Sequence, residues 1–162
     1  MMHKLIALTV FLLFTPLAQS KDHQGKLGLG FSNQLVNKLP ALSFKLQKGR
    51  SSAYGGLMAI DTEDPGGGFG MGLKYYGLLF DEPQLNFYYS LLGAYISQKN
   101  ANSNDNDTGF QFDLTLGSEF VFQGLESIGF SFEFGLSFNK VQEFHIETVG
   151  NGLFAAGIHF YL

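Results

Sequence analysis

The chain has 162 residues, no cysteine, and 10 Lys/Arg against 14 Asp/Glu, for a net charge of −4. A disulfide framework is excluded, and the acidic balance leaves no basic footprint for nucleic acid. Trp is absent, yet 18 Phe, 7 Tyr and 21 Gly accompany only 15% charged residues, a mixture that water-soluble domains rarely carry.

The N-terminus opens with His3 and Lys4, runs apolar from Leu5 to Phe14 with Thr9 as the one interruption, breaks at Pro16 and ends in Ala18-Gln19-Ser20. A basic start, a short apolar core and small residues before a cut describe a secretory signal peptide over 1–20. Ten apolar residues are half of what a membrane-spanning helix needs. The expected mature chain, 21–162, is one domain with a net charge of −5.

Period two dominates the mature chain, and period two belongs to β-strands. Eight strands are expected, near 25–34, 41–48, 52–61, 67–76, 85–97, 108–120, 127–140 and 152–162. In the first, Leu27, Leu29 and Phe31 alternate with Gly28, Gly30 and Ser32. In the second, Leu42, Phe44 and Leu46 alternate with Ser43, Lys45 and Gln47. The third and fifth, Ala53 to Asp61 and Leu85 to Ser97, carry apolar residues in both phases, so their facing stays open. The fourth sets Phe69, Met71, Leu73 and Tyr75 against Gly68, Gly70, Gly72 and Lys74. The sixth and seventh are the cleanest: Phe110, Phe112, Leu114 and Leu116, then Ile128, Phe130, Phe132, Phe134, Leu136 and Phe138, each alternate with small or polar residues. Both match the 9–11 residues of a tilted membrane strand better than the 5–6 of a globular one.

Turn chemistry fills the connections: Asn37-Lys-Leu-Pro40, Lys48-Gly-Arg-Ser51, Asp61-Thr-Glu-Asp-Pro-Gly66, Asp81-Glu-Pro83 and Gln123-Gly124. The longest polar one, 100–107, comes after the fifth strand. An even strand number places both termini on one side and this loop on the other.

The expected fold is therefore all-β, an eight-stranded antiparallel up-and-down barrel. A secreted lipocalin-like barrel shares the alternation but would carry many charges on its outer, polar face. Here the less apolar face is mostly Gly, Ser, Thr and Ala, which suits a narrow packed lumen, and the bulky Phe and Leu face suits lipid. The C-terminus ends inside a strand, with Gly157, Phe160 and Leu162 resembling the C-terminal signal read by the barrel-assembly machinery, Leu standing where Phe is usual. The whole expected mature chain resembles the small bacterial outer-membrane β-barrels that include OmpA transmembrane domains, OmpX and OmpW. That resemblance implies an outer-membrane location, contact with outer-membrane lipid and lipopolysaccharide, and a structural or adhesion-like surface role.

Lys45, Lys74, Asp113, Glu119 and Glu133 fall on the expected lumen face. Lys45 is placed to reach Asp113 or Glu119, Lys74 and Glu119 are expected near the terminal end, and Asp113 and Glu133 crowd each other on neighbouring strands. Buried charges cost several kcal/mol unless paired, so an ion-pair network plugging the barrel is expected. A narrow channel for small or apolar solutes is the alternative function, and a lipid A-modifying enzyme the third. For the last, His145, Glu147 and His159 are the only material near the C-terminus, and no serine stands two residues after His145. An enzyme is not expected, and neither is a cofactor. Asp61, Glu63 and Asp64, and Asp105 and Asp107, lack the spacing of a calcium loop. Gly66 to Gly72 lacks the Lys-Ser/Thr of a nucleotide site. Any surface ligand is expected at loop 100–107.

Overall fold

The computed structural model describes residues 24–36, 39–49, 51–63, 67–99, 106–150 and 152–162. The expected signal peptide and most of loop 100–107 lie outside them. Nine strand segments run in order: β1 (Leu27–Ser32), β2 (Ala41–Gln47), β3 (Ser52–Asp61), β4 (Gly68–Glu82), β5 (Leu85–Lys99), β6 (Asn106–Val121), β7 (Ile128–Lys140), β8 (Phe144–Thr148) and β9 (Ala155–Tyr161).

Each strand pairs antiparallel with the next from β1 to β7, and β9 closes the ring by pairing with both β7 and β1. β8 pairs with the upper part of β7 and β9 with its lower part, so these two segments are halves of one eighth stave. The result is an eight-stranded closed barrel. Its stagger can be read from the ladder. One row of paired residues leaves β7 at Lys140, runs through Phe110, Tyr95, Met71, Met58, Leu42, Phe31 and Ile158, and returns to β7 at Phe130. The return lies ten residues below the start. For eight strands that shear tilts each by about 40°, and the interior is just wide enough to be filled by side chains.

The alternation resolves cleanly into two faces. On β6, Phe110, Phe112, Leu114, Leu116 and Phe120 are exposed outside, while Gln111, Asp113, Thr115, Gly117 and Glu119 are buried inside. β3 and β5 take the facing that sequence left open. Ala53, Leu57 and Ala59 point inward against Met58 and Ile60; Asn86, Tyr88, Ser90, Leu92, Ala94 and Ile96 point inward against Phe87 and Tyr95.

Two expected boundaries need correction. β4 continues to Glu82, past the anticipated end at 76, and the turn shrinks to Pro83 and Gln84 between the paired Glu82 and Leu85. The register shift between Leu78 and Phe80 interrupts the alternation there and hid the continuation. The eighth stave begins at Phe144 and breaks between Val149 and Phe154. Val149 N–H still donates to Gly135 O (3.1 Å) and Ala155 pairs with Glu133, so the two halves meet β7 on either side of Phe134.

The β1–β2 connection does not run over the rim. Asn33 fastens it to β9, donating its N–H to Ala156 O (3.2 Å) while its side chain accepts from Ala156 N–H (2.7 Å). The chain then turns inward. Gln34 and Leu35 are 1% and 0% exposed, inside the barrel.

Candidate functional site in the barrel lumen

Because successive inward residues on a strand lie about 6.6 Å apart along it, the lumen is built in layers. Nearest the termini, Lys45 on β2 reaches across to Glu119 on β6 (3.0 Å), as one of the two expected pairings has it. The Tyr161 hydroxyl on β9 donates to the other Glu119 oxygen (2.5 Å). Lys45 Nζ also sits 4.7 Å from the centre of the Tyr76 ring and 5.1 Å from that of Tyr88. Beside it, His159 Nε2 and Ser43 Oγ share a hydrogen bond (2.8 Å).

The second layer centres on Glu133. Lys74 contacts both its oxygens (2.6 and 2.7 Å), and Tyr88 (2.9 Å), Ser90 (3.1 Å) and Thr115 (2.8 Å) donate hydroxyl hydrogen bonds to it. Lys74 was expected near the terminal end of its strand. With β4 extended to Glu82 it is a mid-strand residue, and its partner is Glu133 rather than any group at the end. Gly117 makes this layer possible: a Cβ there would meet Glu133 Cγ and the Tyr88 ring at 2.7 Å.

The third layer relieves the expected crowding of Asp113 and Glu133. Lys74 neutralises Glu133, and neutral donors hold Asp113. Gln111 Nε2 donates to it (3.0 and 2.9 Å), and Gln34 Nε2 donates from the inserted connection (2.9 Å). Gln34 Oε1 accepts from Lys74 (2.5 Å), Gln34 O accepts from Gln111 (3.0 Å), and Gln111 Oε1 accepts from Val36 N–H (3.0 Å). Above this polar floor the lumen turns apolar. Leu35 packs among Ala41, Leu57, Ala59, Leu92, Ala94 and Ile96.

All five expected network residues thus face the lumen, between 0% and 5% exposed. Gln34, Gln111, Tyr88 and Tyr161 belong to the network too. The lumen phase of β5, β6 and β9 could have flagged the last three. Gln34 lies in a connection, where no periodicity marks it. On the terminal side, a void of about 10 Å³ lies beside Lys45, Tyr76 and Tyr88, room for about one water molecule.

The residues weighed for catalysis do not converge. His145 lies exposed on β8, opposite Asn139, and Glu147 accepts from the Asn139 side chain (2.7 Å). His159 is buried 3% exposed beside Gly129, and it meets a serine, Ser43, that the sequence did not single out. Its Nδ1 has no hydrogen-bond partner, so the acid that would orient the imidazole in a serine–histidine relay is missing. Among the described residues no group of three His, Cys, Asp or Glu is placed to hold a metal ion.

Phe160 and Leu162 fall on the exterior at the end of the closing stave, 45% and 78% exposed, while Gly157 before them lies on the lumen face against Ser131. Tyr54 and Tyr75 stack edge-on at 5.5 Å, and Tyr75 lies 6.1 Å from Tyr89, all on the outer face. Comparison with protein-family models, with curated proteins and with solved structures finds no match.

Proposed function

We propose that the protein is an exported outer-membrane barrel whose lumen is closed and whose role is structural or surface-presenting. The observation that carries this is the inversion of the two faces. Charge and hydrogen bonding are concentrated inside, while Leu29, Phe31, Phe44, Phe112, Leu114 and Phe134 are all more than 40% exposed outside. In water so continuous an apolar surface would drive association. In a bilayer it is the matching solvent, and the closed ladder satisfies the strand backbone internally. Phe110 to Phe120 on β6, tilted by about 40°, rise about 25 Å, the height of an outer-membrane apolar band. A mostly apolar cavity of about 280 Å³ is lined outside by Phe87, Leu116, Phe132 and Phe134 and reaches inward to Tyr88 and Glu133, and its outer part offers a lipid chain an aromatic surface.

On this reading the termini and the short turns face the periplasm. Loop 100–107 and the β7–β8 turn face outward, where Gln142 and Asp107 join them by a side-chain hydrogen bond (2.5 Å). The strand ending in Phe160 and Leu162 serves the assembly machinery. Lipid and lipopolysaccharide are the immediate partners, and a surface ligand would meet the outer loops. Planar bilayers test the closed lumen. The purified protein is expected to give no stable conductance, and a steady conductance altered by Glu133→Gln would overturn the structural role in favour of a narrow channel.

A further inference from the structure

The geometry points to the outer half of the lumen being a ligand pocket for a small aliphatic amine, held shut by residues 34–36 acting as a built-in occupant. No strand ladder holds the inserted segment; Gln34 and Val36 are held by the side chains of Lys74, Gln111 and Asp113. Each of those partners keeps another when the segment leaves. Lys74 keeps both oxygens of Glu133, and Asp113 keeps Gln111. Withdrawal therefore leaves Lys74 in its ion pair and removes one of the donors that hold Asp113. The segment has fixed ends about which to swing: Asn33 is clamped to Ala156, and β2 begins at Ala41.

What withdrawal uncovers is a cul-de-sac, because the Lys74–Glu133 and Lys45–Glu119 layers stay below it. Its walls are aliphatic and small: Leu57, Ala59, Leu92, Ala94 and Ile96. Its floor carries an acceptor surplus. Lys45 and Lys74 pair with Glu119 and Glu133, so among the described lumen carboxylates Asp113 is the one without an ion pair, held by the neutral side chains of Gln111, Gln34 and Ser137. Ser137, paired with Asp113 across the β6–β7 ladder and 0% exposed, turns its hydroxyl toward that carboxylate. Gln34 and Leu35 fill this space with a hydrogen-bonding head and an aliphatic body. An alkylammonium supplies the donor that Gln34 gives Asp113, an aliphatic body in place of Leu35 and the positive charge that Asp113 lacks, while Lys74, losing the Gln34 acceptor, keeps Glu133. A carboxylate would face Asp113 directly, and an alcohol would leave the charge uncompensated.

The test uses the absence of native cysteine. Leu35→Cys in the mature barrel, folded in lipid vesicles, is exposed to a neutral maleimide with n-hexylamine, 1-hexanol or hexanoate. An amine that takes the pocket holds the segment out, so labelling should quicken several-fold and saturably with n-hexylamine. It should not quicken with the other two, and Asp113→Asn should abolish the response. Val36→Cys, partly buried at the mouth, repeats the measurement should Leu35→Cys fold poorly. Labelling unmoved by n-hexylamine, moved equally by 1-hexanol, or indifferent to Asp113→Asn would each overturn the pocket. The inference rests on the membrane-barrel reading only for which way the mouth faces. The boiled-against-unboiled gel shift of the same vesicles tests that reading separately.

Discussion

At the scale of single residues, the lumen is a set of groups that are costly alone and inexpensive together. Glu133 accepts from Lys74, Tyr88, Ser90 and Thr115, and Lys74 has Glu133 as its charge partner. Glu133→Ala should therefore destabilise the barrel by about 3–5 kcal/mol in urea unfolding from lipid vesicles, because it leaves Lys74 buried without a counter-charge. Removing both charges with Lys74→Met and Glu133→Gln keeps one acceptor oxygen, and a hydroxyl facing the new amide NH2 can turn to accept from it. It should recover most of that loss, giving a large coupling energy in the double-mutant cycle. A different carboxylate reports on the β6–β7 turn outside the strands. Glu126 accepts the Gly124 N–H (2.8 Å), where Gly124 holds a φ of 84°, and that bond keeps its carboxyl below the ordinary glutamate range. A depressed folded pKa means that the turn's small contribution is present above the unfolded pKa and disappears as pH falls through the folded one. An NMR titration should place the Glu126 midpoint below those of solvent-exposed glutamates without backbone bonds.

At the scale of elements, β8 separates two kinds of backbone position. Val149 N–H donates to β7, and ladder bonds alternate, so His145 and Glu147 share that direction while Ile146 turns its N–H away. Proline at Ile146 should leave the heat-resistant barrel intact, whereas His145→Pro should remove a ladder bond and lower its melting temperature in lipid. Sequence legibility divides on the same physics. Strands with bulky residues in one phase and small or polar ones in the other, β1, β2, β6 and β7, could be read with their facing, because a packed lumen and an outer surface select different side chains. β3 and β5 could not, because the outer lumen is itself apolar: Leu57, Leu92 and Ile96 look inward just as Met58 and Ile60 look outward. The break in the eighth stave and the bulge near Leu78 suspend alternation altogether. The five charged network residues were legible from phase alone. Gln34 and Leu35 were not, since a connection that folds inward has no period; the bonds of Gln34 to β4 and β6 and the packing of Leu35 in the outer lumen identify them.

At the scale of the whole molecule, a ten-residue shear around eight staves fixes an interior that side chains fill, and the polar inside and apolar outside are its consequence. Stability then resides in a ladder that closes through β9, rather than in a compact apolar core. The most direct test of a closed membrane barrel is electrophoresis of the outer-membrane fraction in SDS, boiled against unboiled. The protein is expected in that fraction, with the unboiled band displaced from the boiled one because the closed barrel resists SDS until heated. A single unshifted band, with the protein free in the periplasmic extract, would contradict the membrane barrel and point to a soluble one.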